Sequence, residues 1–234
     1  MPLFSKTRLL LILLFGLSIG TCPLPADPAF DCKIVKLGPT GTFNVSGLDF
    51  GVSVYQSSWV GVHQDVFKLD PGFPKETPAS WEGKLMLQPG DGAPIVLHEK
   101  LERATDSSFK CSYRAEGANG SPLKVPNLLA FEVHLPAAAF AGKSLQVDDQ
   151  AVELPATAGK NSIFDKWGAQ KVTLPLNGGT LTIEGDLKVH VQDDRVYHQD
   201  YFLFWIVIAK SDTPGDPVDL ALTISYQPTA SAAK

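Results

Sequence analysis

Asp200-Tyr201-Phe202-Leu203-Phe204-Trp205-Ile206-Val207-Ile208 is the most apolar run of the chain outside its N-terminus. It is rich in aromatic and β-branched side chains and has no polar residue at helical spacing. A helix of this composition would have no wet face, and so short a run cannot cross a bilayer as a helix. The run therefore reads as a strand buried on both faces, or nearly so. The rest of the chain reads as material that covers it.

Working outward, residues 218–226 alternate Val218, Leu220, Leu222, Ile224 and Tyr226 and form a last strand. Upstream, residues 187–191 are a strand, preceded by a turn at Gly185-Asp186. Residues 171–176 and 180–184 flank Asn177-Gly178-Gly179 as a hairpin. Residues 158–168 read as a loop anchored by Ile163, Phe164 and Trp167. Residues 144–147 and 150–155 flank Asp148-Asp149, a two-residue connection that favours a tight turn. Residues 136–141 make one helical turn, and residues 128–135 alternate as a strand. The first half adds strands at 33–37, 42–46, 49–55, 58–62, 82–87, 94–103 and 107–115. Pro71, Pro74 and Pro78 make residues 70–80 a loop.

These segments predict an all-β chain: a two-sheet antiparallel β-sandwich of about 12–15 strands with essentially no helix. One domain spans 31–228, and 229–234 is a disordered tail. The 20 Gly and 18 Pro suit short strands joined by tight turns. No repeat at fixed period suggests a propeller or solenoid. A net charge of −5 with 44% hydrophobic residues is globular rather than disordered composition. The mild acidity, with no basic run beyond the N-terminus, argues against a nucleic-acid partner.

Lys6 and Arg8 precede an apolar core at 9–20, the pattern of an export signal over 1–26. Ile19-Gly20-Thr21-Cys22 also resembles a bacterial lipobox, which would make Cys22 a lipidated N-terminus and the membrane a partner only through that anchor. The alternative removes Cys22 with the signal. Export implies a secreted or periplasmic protein in an oxidising compartment, where Cys32 and Cys111 remain as an even pair. A disulfide between them would contribute a few kcal/mol in the chain-entropy model. Two buried thiols that never meet are the alternative.

Tyr55, Trp59, Phe67, Phe73 and Trp81 gather around the proline-rich loop, with His63 and Asp65 between them. Flat aromatics beside polar groups can stack on sugar faces and bond hydroxyls. Trp59, Trp81 and Trp167 are the candidate sugar contacts, with His63 and Asp65 as polar partners. The plainer reading makes Trp59 and Trp81 anchors of a long loop. Asp193, Asp194 and Asp200 are candidate calcium ligands, since calcium takes oxygen donors in flexible geometry. Arg195 among them supports a solvated, charge-paired turn instead. No nucleophile elbow, phosphate loop or zinc-protease motif is present, so no catalytic residue is assigned.

The hairpin Leu145-Gln146-Val147-Asp148-Asp149-Gln150-Ala151-Val152-Glu153-Leu154-Pro155 resembles one in the β-sandwich modules that stand before the barrel in secreted bacterial glycoside hydrolases. Leu181-Thr182-Ile183-Glu184-Gly185, and Val191-Gln192-Asp193-Asp194-Arg195 before an aromatic strand, are similar to the same modules, and the resemblance covers about residues 48–226. In that family the catalytic acids sit in the barrel, which this sequence does not contain. The resemblance implies a non-catalytic sandwich that packs on or binds carbohydrate. An envelope assembly protein that recruits partners through strand edges is one alternative, and a small glycan-active enzyme is another.

Overall fold

The computed structural model describes residues 29–229. The aromatic run forms β14 (Tyr201–Lys210), buried from Phe202 through Ala209. It lies between β9 (Leu128–Pro136) and the C-terminal half of β13 (Gly179–Asp193), antiparallel to both. Its side chains alternate between two environments, as strand geometry requires. Phe202, Phe204, Ile206 and Ile208 enter the main core. Leu203, Trp205 and Val207 pack with Tyr55, Leu128 and Ala130 in a smaller cluster on the other face.

The first half contains β1 (Val35–Leu37), β2 (Phe43–Val45), β3 (Leu48–Tyr55), β4 (Gly61–His63), β5 (Lys75–Thr77), β6 (Ser80–Leu87), β7 (Ile95–Thr105) and β8 (Ser108–Gly117). The second half adds β10 (Ser144–Val147), β11 (Gln150–Glu153), β12 (Ser162–Leu176) and β15 (Val218–Pro228). Among the described residues the only α-helical turn is α1 (Ala137–Phe140), with three short 3-10 turns.

All fifteen strands of the described residues belong to one hydrogen-bonded sheet, in the order β1-β2-β3-β9-β14-β13-β15-β8-β7-β6-β5, with β4, β10, β11 and β12 as branches. The sheet becomes two layers at β13. Residues Gly179–Gly185 of β13 pair with β15, whereas Val189–Asp193 pair with β14. Both partners lie on one edge of β13, so the sheet forks there and its two arms fold over a common core. Phe43 meets Phe109 edge-on across that core at 5.2 Å, and Tyr113 meets Phe131 at 5.6 Å. The antiparallel all-β architecture is as the sequence predicts, and the two layers are arms of one sheet.

Local departures have local causes. Residues 158–168 are not all loop, because β12 begins at Ser162 and pairs along the whole of β13. Gly168, at φ +77°, marks a bulge within that strand rather than its boundary. Gly185-Asp186 is likewise no turn but the fork point of β13. Residues 56–60 form a hairpin loop in place of the expected strand start, closed by Gln56 N–H to Val60 O at 3.0 Å. The loop residues 70–80 include the short strand β5. The tight turn at Asp148-Asp149 is present, with Val147 opposite Gln150.

The Cys32–Cys111 disulfide is not formed, and both thiols are free and buried. Cys32 lies near the Thr105 carbonyl, 3.9 Å from its Sγ. Cys111 pairs with Leu101, four residues further along β7, which is about 13 Å in an extended strand and beyond disulfide reach. The signal segment 1–26, Cys22 and the tail beyond Thr229 lie outside the described residues.

One carboxyl is enclosed between the layers. Glu99 is 2% exposed. It accepts from Gln64 Nε2 at 2.6 Å and from Tyr113 Oη at 3.0 Å. Gln64 also donates to the Thr40 carbonyl and accepts from Val52 N–H. Burial pushes the Glu99 carboxyl up to about 8, against two hydrogen bonds that favour its charge. Gly41 makes room for it: at φ +92° it occupies a region closed to most side chains, and a Cβ there would collide with Glu99, Trp81 and Gln64.

Candidate functional site

The outward face of β14 and its neighbours carries a polar row set by register. Gly51 on β3 pairs with Glu132 on β9, Glu132 with Trp205, Trp205 with His190 on β13, and His190 with Asp165 on β12. Residues in register share a face, so these side chains cross the sheet in one line. A second row, His134, Leu203, Gln192 and Ser162, runs beside it. Glu132 and Trp205 of the first row, with His134, Leu203 and Gln192 of the second, floor a cleft of about 820 Å³ whose walls include Trp59, His63, Asp194 and Tyr197.

Glu132 is the anchor of the cleft and is only 4% exposed. Its Oε1 accepts from Ser53 Oγ at 2.7 Å, and its Oε2 from Tyr55 Oη at 2.7 Å and Trp205 Nε1 at 3.0 Å. His134 Nε2 stands 3.5 Å and His63 Nε2 3.9 Å from Oε1. Burial acts to raise the carboxyl, but His134, Ser53 and Tyr55 together outweigh it and hold Glu132 below its ordinary value. Glu132 is therefore a fixed negative charge whose lone pairs are already committed. The ligand-facing polar atoms are those it orients.

The histidines are each held from a second side. His63 Nδ1 is 3.2 Å from Asp65 Oδ1, and His190 Nδ1 is 2.6 Å from Asp165 Oδ1. His134 stacks flat on Tyr201, 4.1 Å between centroids. Gly51 gives His63 its place, since a Cβ there would be 2.8 Å from the imidazole. Burial, then the charges of Asp194 and Glu132, push Tyr201 up to about 12. Burial foremost also raises Tyr55. Both phenols thus stay neutral donors. Burial raises Asp194 as well, opposed by Gln192, whose Nε2 donates to Asp194 Oδ1 at 2.5 Å.

Aromatic rings line the cleft. Trp205 stacks against His190 at 5.1 Å and against Trp59 at 6.4 Å, with 15° between the indole planes. Trp59 is 59% exposed and sits at φ +64° in the hairpin loop. A bulky side chain at positive φ is strained and persists only where its surroundings fix it. Here Trp59 N–H donates to Gln56 O at 2.9 Å, and Ser57 is tied to Asp91. A second hollow of about 450 Å³ adjoins the first, sharing Trp59, Asn161, Gln192 and Trp205 and reaching Trp167.

The sequence candidates divide. Trp59 and His63 line the first hollow, Trp167 the second, and Asp65 backs His63. Trp81 reaches neither: it is 1% exposed within the core, as an anchor beside the proline-rich loop. Asp193 is fully buried, and both its oxygens are held by Arg195 at 2.7 and 2.8 Å. Asp194 faces the cleft, and Asp200 is exposed. Among the described residues no group of three or more His, Cys, Asp or Glu is arranged to hold a metal ion. Glu132, His134, His190 and Trp205 carry the site without being singled out in sequence. Their signal is a polar side chain on alternate positions of an otherwise apolar strand.

No protein-family model and no curated protein matches the sequence. Among solved structures, the chain is similar to a protein described as a "Putative aldose 1-epimerase" from Escherichia coli K12. The TM-score is 0.46 at 9% identity, over 87% of this chain and 82% of that one. A likeness at that level says nothing about activity.

Proposed function

We propose that the cleft on the outer face of β3, β9, β14 and β13 binds carbohydrate. The observation that carries this reading is Trp59, an exposed indole held at strained backbone geometry and parallel to Trp205 over a floor of oriented polar groups. A flat apolar ring beside committed donors and acceptors suits a sugar, which offers an apolar C–H face and a rim of hydroxyls. Tyr201 stays neutral, so the cleft offers a hydroxyl donor near the Glu132 charge.

The test is a glycan array followed by titration calorimetry on the sugars retained. Trp59→Ala should weaken binding by about tenfold or more, as loss of a central aromatic anchor does. Failure of the wild-type protein to retain any sugar, in calcium or in chelator, would overturn the reading.

A second reading has its own support. Asp194 and Glu132 share the cleft, yet burial raises one while hydrogen bonds lower the other. Carboxyls displaced in opposite directions are the usual equipment of acid–base chemistry. In this reading Asp194 moves the proton on a bound sugar, and Glu132 positions His63 and His134. NMR-monitored turnover of reducing and glycosidic sugars that disappears in Asp194→Asn would favour it over binding alone.

A further inference from the structure

We infer that the cleft takes a carbohydrate chain of at least two units rather than a single sugar, with the second hollow as a distinct subsite built on Trp167. This rests on the carbohydrate reading of the first hollow. The two hollows are continuous, sharing Trp59, Trp205, Asn161 and Gln192 as their common wall. They follow one strand: Tyr201 and Leu203 floor the first and Val207 the second. Tyr201 and Val207 are about 20 Å apart along an extended strand, far more than one pyranose ring spans.

Each hollow has its own exposed indole. Trp59 is 59% and Trp167 53% exposed, while Trp205 between them is buried at 4%. An indole left half in water costs hydrophobic free energy, and the bulge at Gly168 is what turns the strand beside Trp167. Lys210 Nζ lies over the Trp167 ring, 4.2 Å from its centroid, and Lys188 Nζ 5.8 Å from it, so the indole carries cationic donors on its face with which a sugar must share it. The pair His190–Asp165 lines the same hollow, so it also offers fixed polar atoms. A platform, a donor and an oriented imidazole repeat there the kind of equipment found around Trp59.

The test measures affinity against chain length by calorimetry. The probes are glucose, galactose, mannose and xylose, each as monosaccharide and as linear oligomers up to hexasaccharide. In the series that binds, affinity should rise at least tenfold from the monosaccharide to the trisaccharide. Trp167→Ala should remove that rise. Ser211→Trp, which fills the second hollow from its rim, should do the same without touching Trp167. Monosaccharide binding with no gain from length, or a gain that survives both variants, would overturn the second subsite and leave the carbohydrate reading standing. No binding by any sugar of any length would overturn both.

Discussion

Replacing Glu99 with Gln should make the protein more stable in alkali and flatten its response to pH. Glu99 is enclosed between the layers with only Gln64 and Tyr113 as partners. Its carboxyl moves from an ordinary 4.5 to about 8 on folding. Between those values the native state holds a proton that the unfolded chain has released. Stability from this group is therefore complete below pH 4.5, falls as pH rises, and is fully lost above pH 8. At about 1.4 kcal/mol for each pH unit, the loss amounts to about 5 kcal/mol. Gln has the shape of the protonated acid, with a carbonyl to accept from Gln64 and an amide to meet the Tyr113 hydroxyl. At pH 5 the variant should match the parent. At pH 9 it should be more stable by several kcal/mol, about 10 °C in melting temperature for a domain of this size. Urea unfolding of both proteins at intervals from pH 5 to 9 measures this. A variant whose stability follows the parental slope, or that is less stable than the parent at pH 9, would refute the argument.

Other perturbations follow from the same physics. Arg195→Ala would strand the fully buried Asp193 carboxylate and free the Pro155 and Ala156 carbonyls; a loss of about 3–5 kcal/mol is expected in urea unfolding. Glu132→Ala would leave the Ser53 and Tyr55 hydroxyls without their acceptor and Trp205 Nε1 with only the Tyr55 oxygen. It should cost at least about 2 kcal/mol and shift the tryptophan fluorescence. Gly41→Ala, which combines positive φ with collision against Glu99 and Trp81, should destabilise by more than about 2 kcal/mol. Alkylation in denaturant without reductant, read by mass spectrometry, should label Cys32 and Cys111 fully. In the native protein burial raises both thiols and shields them, so labelling should be slow.

The strand character of residues 201–208 was legible because an unbroken aromatic and β-branched run leaves a helix no wet face. Alternation of apolar and polar residues marks β9, β13 and β15, and the Asp148-Asp149 turn is marked by its spacing. Trp59 is legible as an aromatic among polar residues, but its turn is not, because an indole is a rare occupant of positive φ. Gly168 and Gly185 read as breaks, since sequence does not separate a bulge or a fork from a turn. The disulfide expected from an even pair of cysteines failed because Cys32 and Cys111 reach the β7–β8 hairpin at different heights.

What the sequence determined by itself was the period: which residues alternate, and hence that Glu132, His134, His190 and Gln192 share faces with their own strand neighbours. What tertiary structure decided was the pairing. β9 comes about 70 residues before β14 in the chain; only their register sets Glu132 beside Trp205, and only that of β13 with β14 sets His190 there. A one-residue slip would turn every one of those side chains to the opposite face. The cleft exists because burial of Phe202, Phe204, Ile206 and Ile208 in the core fixes that register and leaves Trp205 to face outward.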